Sequence, residues 1–118
     1  MTNHTDDTLS KIHMQGVHLE LTAAMQTFIR EKFSVLLRHN ERIVRVNVRL
    51  QHDQNRGTQH HYNATGQIEI SGPDLVATVK GDDAYNVLDG LVEKLDELLR
   101  ERHERFKDRR SRPQDLEV

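Results

Sequence analysis

Between Ile43 and Gln51 the chain alternates without a break: Val44, Val46, Val48 and Leu50 share one parity, and Arg45, Asn47, Arg49 and Gln51 share the other. Successive side chains of an extended chain point to opposite faces, so this pattern predicts a half-buried strand. A shorter version runs from Lys11 to Gln15, with Ile12 and Met14 on one side and Gly16 ending it. Tyr62, Ala64, Gly66, Ile68 and Ile70 give a third strand its inward face. Gly72, Pro73 and Asp74 form a tight-turn signal ahead of a fourth strand, Leu75 to Lys80. The polar segment His52 to His60, with Asn55 and Gly57, is expected to be a mobile hairpin loop.

Two stretches change period. Thr22 can cap a helix reaching about His39, with Met25, Phe28, Ile29, Phe33, Leu36 and Leu37 on its apolar face. Asp82 and Asp83 can cap a longer helix to Lys107 and suit the positive end of its dipole. Its predicted core stripe is Tyr85, Leu88, Val92, Leu95, Leu99 and Phe106, flanked by Leu91 and Leu98.

The order β-α-β-β-β-α predicts an α+β fold: a four-stranded sheet with two helices packed on one face and a polar opposite face. The chain of 118 residues suits a single domain, expected at 11–108, between flexible tails at 1–10 and 109–118. The absence of cysteine removes disulfides and thiolate chemistry and fits a reducing compartment, with the cytoplasm as default. No apolar run approaches the roughly 20 residues that span a bilayer, and Met1 to Asp7 is polar, so neither a membrane partner nor a secretory signal is expected.

Charge changes the picture more than composition does. The formal net charge is only −2, yet Arg100, Arg102, Arg105, Lys107, Arg109, Arg110 and Arg112 crowd the end of the second helix. Two readings compete. In one, this is a basic prong aimed at phosphates. In the other, it is a solvated helix laced by pairs such as Asp96 to Arg100 and Glu101 to Arg105. The pattern alone favours the second. Lys94 and Arg105, eleven residues apart, nonetheless project within about 20° of one another on an ideal helix. Arg30, Lys32 and Arg38 on the first helix would border a shared groove if the helices lie side by side.

Other chemistry is sparse. Eight histidines include His52, His60 and His61 around the hairpin, but adjacent strand residues face opposite ways and no metal-ligand spacing completes a set. The serines sit in no nucleophile motif, and no glycine-rich phosphate loop opens either helix. No enzyme activity, cofactor, metal or small-molecule substrate is therefore expected. The outward sheet face offers Arg45, Arg49 and Lys80 without an exposed aromatic pair, which disfavours base stacking there.

Several strings tip the balance: Gly16 through Thr22 leading into the first helix, Lys32-Phe33, Arg42-Ile43, and above all DDAYNVLDGLVEKL from Asp82 to Leu95. With the element order, they resemble the ribosome hibernation-promoting factor and ribosome-associated inhibitor family, a sigma-54 modulation protein-like group, over about Lys11 to Lys107. The resemblance implies a protein that binds the small ribosomal subunit where messenger RNA and transfer RNAs would sit, and inhibits translation in stationary phase or stress by occupancy. The basic residues matching the family's pattern are Lys32, Arg42, Lys94, Arg105 and Lys107; Arg38, Arg100 and Arg102 join them as candidates on the same surface. Glu101 and His103 stand where relatives are often lysine-rich, which implies weaker RNA affinity. The early end of the chain implies a short form that promotes ribosome dimers alongside a second, dimerising factor.

Two alternatives remain open on the sequence. One is a protein-interaction module that docks its basic helix end on an acidic partner without touching ribosomal RNA. The other is a generic double-stranded RNA binder, because the double-stranded-RNA-binding domain also packs two helices on an antiparallel sheet. The extra first strand and the aspartates opening the second helix count against the latter.

Overall fold

Alternation over four short stretches produces four strands, and two stretches of helical period produce two helices. The computed structural model describes residues 10–40, 42–53 and 61–111, with side chains described as far as Arg105. The elements are β1 (Ile12–Val17), α1 (Ala23–Arg38), β2 (Ile43–His52), β3 (Tyr62–Ile70), β4 (Leu75–Gly81) and α2 (Ala84–Ser111). The hairpin loop through His60, most of both tails and the side chain of Phe106 lie outside the described residues.

The sheet runs in the order β1-β2-β3-β4, with β1 parallel to β2 and the other pairings antiparallel. Register stacks the inward residues in rows: Ile12, Val46, Ile68 and Leu75; Met14, Val48, Gly66 and Ala77; Gly16, Leu50, Ala64 and Val79. Both helices cover this face, α1 over the β1 side and α2 over β3 and β4. Phe33, Ile29, Leu36, Leu88, Leu91 and Leu95 close the core from above.

Both helix starts are capped as the sequence suggests. Thr22 Oγ1 accepts the Met25 N–H at 3.1 Å, and Asp83 Oδ1 accepts the N–H groups of Tyr85 and Asn86 at 2.8 and 3.2 Å. These bonds satisfy amides that have no partner inside the helix. At the far end of α1, Asn40 Nδ2 donates to Leu36 O at 2.7 Å, which stops the helix without a glycine.

Three expectations need correction. Val44, assigned inward by parity, is 59% exposed, while Ile43 is 1% exposed. The pairing of β2 with β3 shifts register between Ile43 and Arg45, and a bulge inverts parity locally. Gly16 does not end β1, which continues to Val17; a Cβ at Gly16 would meet Leu19 O at 2.5 Å, so the residue is small because the chain folds back upon it. The stripe of α2 is rotated: Val87 and Leu91 are fully buried, whereas Tyr85 is 38% exposed and Val92 only partly covered. The helix must satisfy both the sheet and α1, and its central line becomes Leu88, Leu91 and Leu95.

The tightest approach is at Gly66, where a Cβ would lie 2.8 Å from Leu95 Cδ1 and 3.1 Å from Leu91 Cδ2. Leu95→Ala should cost about 2 to 5 kcal/mol in chemical denaturation, since its side chain is fully buried. Gly66→Ala should cost less in the Leu95→Ala background than in the native one, because the added methyl then enters vacated space. The bulge generates a second test. Val46→Thr should cost about 1 to 3 kcal/mol by burying a hydroxyl, and Val44→Thr should stay within about 0.5 kcal/mol.

Candidate functional site

The parallel pairing of β1 and β2 forces the connection through α1 to run back along the sheet, and α2 runs back from β4 in the same sense. The two helices therefore lie parallel. Two contacts confirm it: Phe28 meets Tyr85 edge to face with ring centroids 5.0 Å apart, and one turn on Lys32 Nζ reaches Asp89 Oδ1 at 3.5 Å. Continuing at this offset, Arg38 lies level with Leu95. The rest of α2 overshoots α1 by roughly four turns, about 24 Å.

This arrangement gathers the sequence-predicted basic residues unequally. Arg38 at the end of α1, Arg42 at the entry to β2, and Arg100 and Arg105 on the overshoot of α2 all sit towards one end of the molecule and are exposed. Lys94 is exposed on α2 at the level where α1 ends. Lys32 is a turn and a half further back in the seam, paired with Asp89 and lying 5.5 Å from the centre of the Phe28 ring. Lys107 belongs to the helix, but its side chain lies outside the described residues.

Arg102 differs from its neighbours. It is half-buried against the turn between β3 and β4, where Nη2 donates to Ser71 O at 3.3 Å. Nη1 is shielded from solvent and has no partner among the described residues. Gly72, at φ +92°, lets the turn pass under this guanidinium; a Cβ there would sit 2.5 Å from Nη2. Arg102 ties the overshoot of α2 to the sheet, a role that charge counting along the sequence does not separate from surface display.

The ion pairs expected along α2 are present. Arg100 Nη2 lies 2.8 Å from Asp96 Oδ2, and Arg105 Nη2 lies 4.0 Å from Glu101 Oε1, with both arginine side chains about three-quarters exposed at 76% and 74%. Such exposed pairs at i, i+4 are worth only about 0.3 to 0.5 kcal/mol. Exchanging a carboxylate partner for a phosphate therefore costs little, and the two readings of these arginines are not exclusive. Among the described residues Arg38 makes a long contact, Nη2 donating to Ser34 Oγ at 3.5 Å.

Around the hairpin, the rings of His52 and His61 stack with centroids 6.4 Å apart, and Tyr62 tilts against His52 at 5.1 Å. Among the described residues no group of three or more His, Cys, Asp or Glu side chains is placed to hold a metal ion. Among them, too, no helix is long and apolar enough to cross a membrane.

Known proteins resemble this chain in sequence and in fold. The chain is 32% identical over 85 residues to the ribosome hibernation promoting factor of Salmonella typhimurium, covering 72% of this chain and 84% of that one. It is 31% identical over 110 residues to the protein of the same name from Azotobacter vinelandii, covering 92% and 98%. A ribosomal subunit interface protein from Coxiella burnetii superposes with a TM-score of 0.68 over 78% of this chain and 96% of that one, at 18% identity, a likeness of fold. The sequence pattern described as Sigma 54 modulation protein / S30EA ribosomal protein matches residues 12–107, from the first core residue of β1 through nearly all of α2, and the chain belongs to that family.

Proposed function

We propose that this protein is a ribosome hibernation factor. It binds the small ribosomal subunit at the messenger RNA and transfer RNA channel and inhibits translation in the cytoplasm of stressed or stationary-phase cells. It acts by occupancy, without chemistry, and promotes ribosome dimerisation together with a second factor. The observation that carries this reading is the exposed basic end of the helical layer: Arg38, Arg42, Lys94, Arg100 and Arg105 are exposed there, with at most weak pairs among the described residues, on a rigid, core-anchored scaffold. The names of the relatives support the ribosomal partner.

Phosphate contact explains why cations would be collected on a chain of net charge −2. Each phosphate neutralised releases condensed counterions, so binding by this end is steeply salt-dependent. A protein-interaction module using the same cations would resist ribonuclease and show a shallower salt response.

The direct test is cosedimentation with isolated small and large subunits across a salt series. Binding to the small subunit that weakens steeply with salt is expected; absence of binding at low salt overturns the proposal. Replacing Lys94, Arg105 and Lys107 together with glutamine should lower affinity about tenfold or more and flatten the slope of log K against log salt by about 2 to 3. Unchanged affinity would reject these residues as the contact set.

Arg102→Gln gives a contrasting expectation. Loss of its bond to the turn should destabilise the fold by roughly 0.5 to 1.5 kcal/mol in denaturant titration, with little change in salt slope. Arg100→Gln should do the reverse, leaving stability within about 0.5 kcal/mol and reducing the slope.

A further inference from the structure

The face of the sheet that the helices leave open is more selective in its chemistry than a solvated surface needs to be. Register places its outward residues in rows: His13, Asn47, Gln67 and Val76; Gln15, Arg49, Thr65 and Thr78; Val17, Gln51, Asn63 and Lys80. None of these three rows contains a carboxylate, although 19 of the 118 residues are acidic. The acids lie at the margins. Glu69 is occupied by Arg45 at 3.5 Å and Asn47 at 2.8 Å, and Asp74 by Gln67 at 2.9 Å. Asp53 and Asp82 follow the ends of β2 and β4.

Within the rows, Arg49 and Lys80 are exposed and have no ion-pair partner among the described residues. Strand spacing and rise put their Cα atoms roughly 12 Å apart along a diagonal. His13, Gln15, Asn47, Arg49, Thr65 and Gln67 line an open groove of about 620 Å³. Beside it, Asn63 Oδ1 is an acceptor shielded from solvent and without a partner among the described residues.

We propose that this open face is a second RNA surface, distinct from the helix end, which takes the sugar-phosphate backbone of a single strand. Arg49 and Lys80 neutralise phosphates along the diagonal. The amide and hydroxyl groups between them offer donors and acceptors to ribose hydroxyls, the group that distinguishes RNA. The rows carry no Phe, Tyr or Trp and one imidazole, His13, so contact is chiefly with backbone and sequence preference is weak. An acidic peptide would satisfy the two cations, but it lacks ribose hydroxyls, each of which can donate to and accept from the amide and hydroxyl groups between them, so RNA is the better fit.

The test uses the full chain and a mixed-sequence single-stranded RNA 12-mer, read by fluorescence anisotropy and by amide chemical shifts. It does not depend on the subunit reading, because no ribosome is present. Arg49→Gln with Lys80→Gln should weaken binding about tenfold at low salt and reduce the salt slope by roughly 1 to 2, and the native protein should show shifts at Gln15, Arg49 and Thr78. Thr78→Glu, which places one carboxylate among the rows, should weaken binding similarly and provides an independent variant should the first fold poorly. The proposal is overturned if the 12-mer does not bind, if these variants bind as the native chain does, or if shifts are confined to α2. It is equally overturned if a polyglutamate peptide of matched charge binds as tightly as the RNA.

Discussion

A helix carrying leucines can settle on a sheet only as closely as the sheet's own side chains permit. Beneath α2, the inward rows of β3 and β4 offer Ala64, Gly66 and Ala77, all buried. That shallow floor admits Leu91 and Leu95 until no room remains for a Cβ at Gly66. Everything else follows from the contact. It sets the height of α2, brings Leu88 and Val87 into full burial, and leaves Tyr85 at the edge of the seam, where its ring meets Phe28. On the other half of the sheet the inward residues are larger, and α1 answers with Ile29, Phe33 and Leu36.

Parallel helices of unequal length convert that packing into an electrostatic asymmetry. The amino end of α2 carries Asp82 and Asp83, the second of which caps it, while the arginines accumulate towards the end where both helices finish. The dipole of α1 favours Arg38 in its last turn by a few tenths of a kcal/mol to about 1, but the effect fades within a turn and does not reach Arg100 or Arg105 from the end of α2. Part of the basic cluster is therefore explained without any ligand. What the dipole does not require is a helix that continues well past its neighbour, nor a half-buried Arg102 fastening that extension to the β3–β4 turn. A tether of this kind holds exposed cations in a fixed relation to the sheet, as a surface for a rigid polyanion needs.

The sheet's two faces differ for a simple reason. Helices cover one, so its residues are chosen by volume; the other must remain wet, and its residues are chosen by charge and hydrogen bonding. Cross-strand bonds such as Asn47 to Gln67 at 3.3 Å and Thr65 to Thr78 at 3.3 Å show part of that face already self-satisfied, which makes Arg49 and Lys80, without an ion-pair partner among the described residues, the more specific feature.

Most of the fold was legible in the order of residues. Period-2 and period-3.6 patterns are local properties, and the caps at Thr22 and Asp83 act within three residues of themselves, so element type, order and starts could be read directly. The pairs Asp96 to Arg100 and Glu101 to Arg105 were legible for the same reason. The rest was decided by contacts distant in sequence. The bulge that turns Val44 outward depends on how β2 registers against Ile70 and Glu69, and the rotation of α2 depends on the small residues of β3 and on α1. Within the candidate site, chain order named the cations but could not sort them. Arg102 lies against a turn 31 positions away, Lys32 is held by an acid on the other helix, and Arg38, Arg42, Arg100 and Arg105 become neighbours of one end only because the sheet makes the helices parallel.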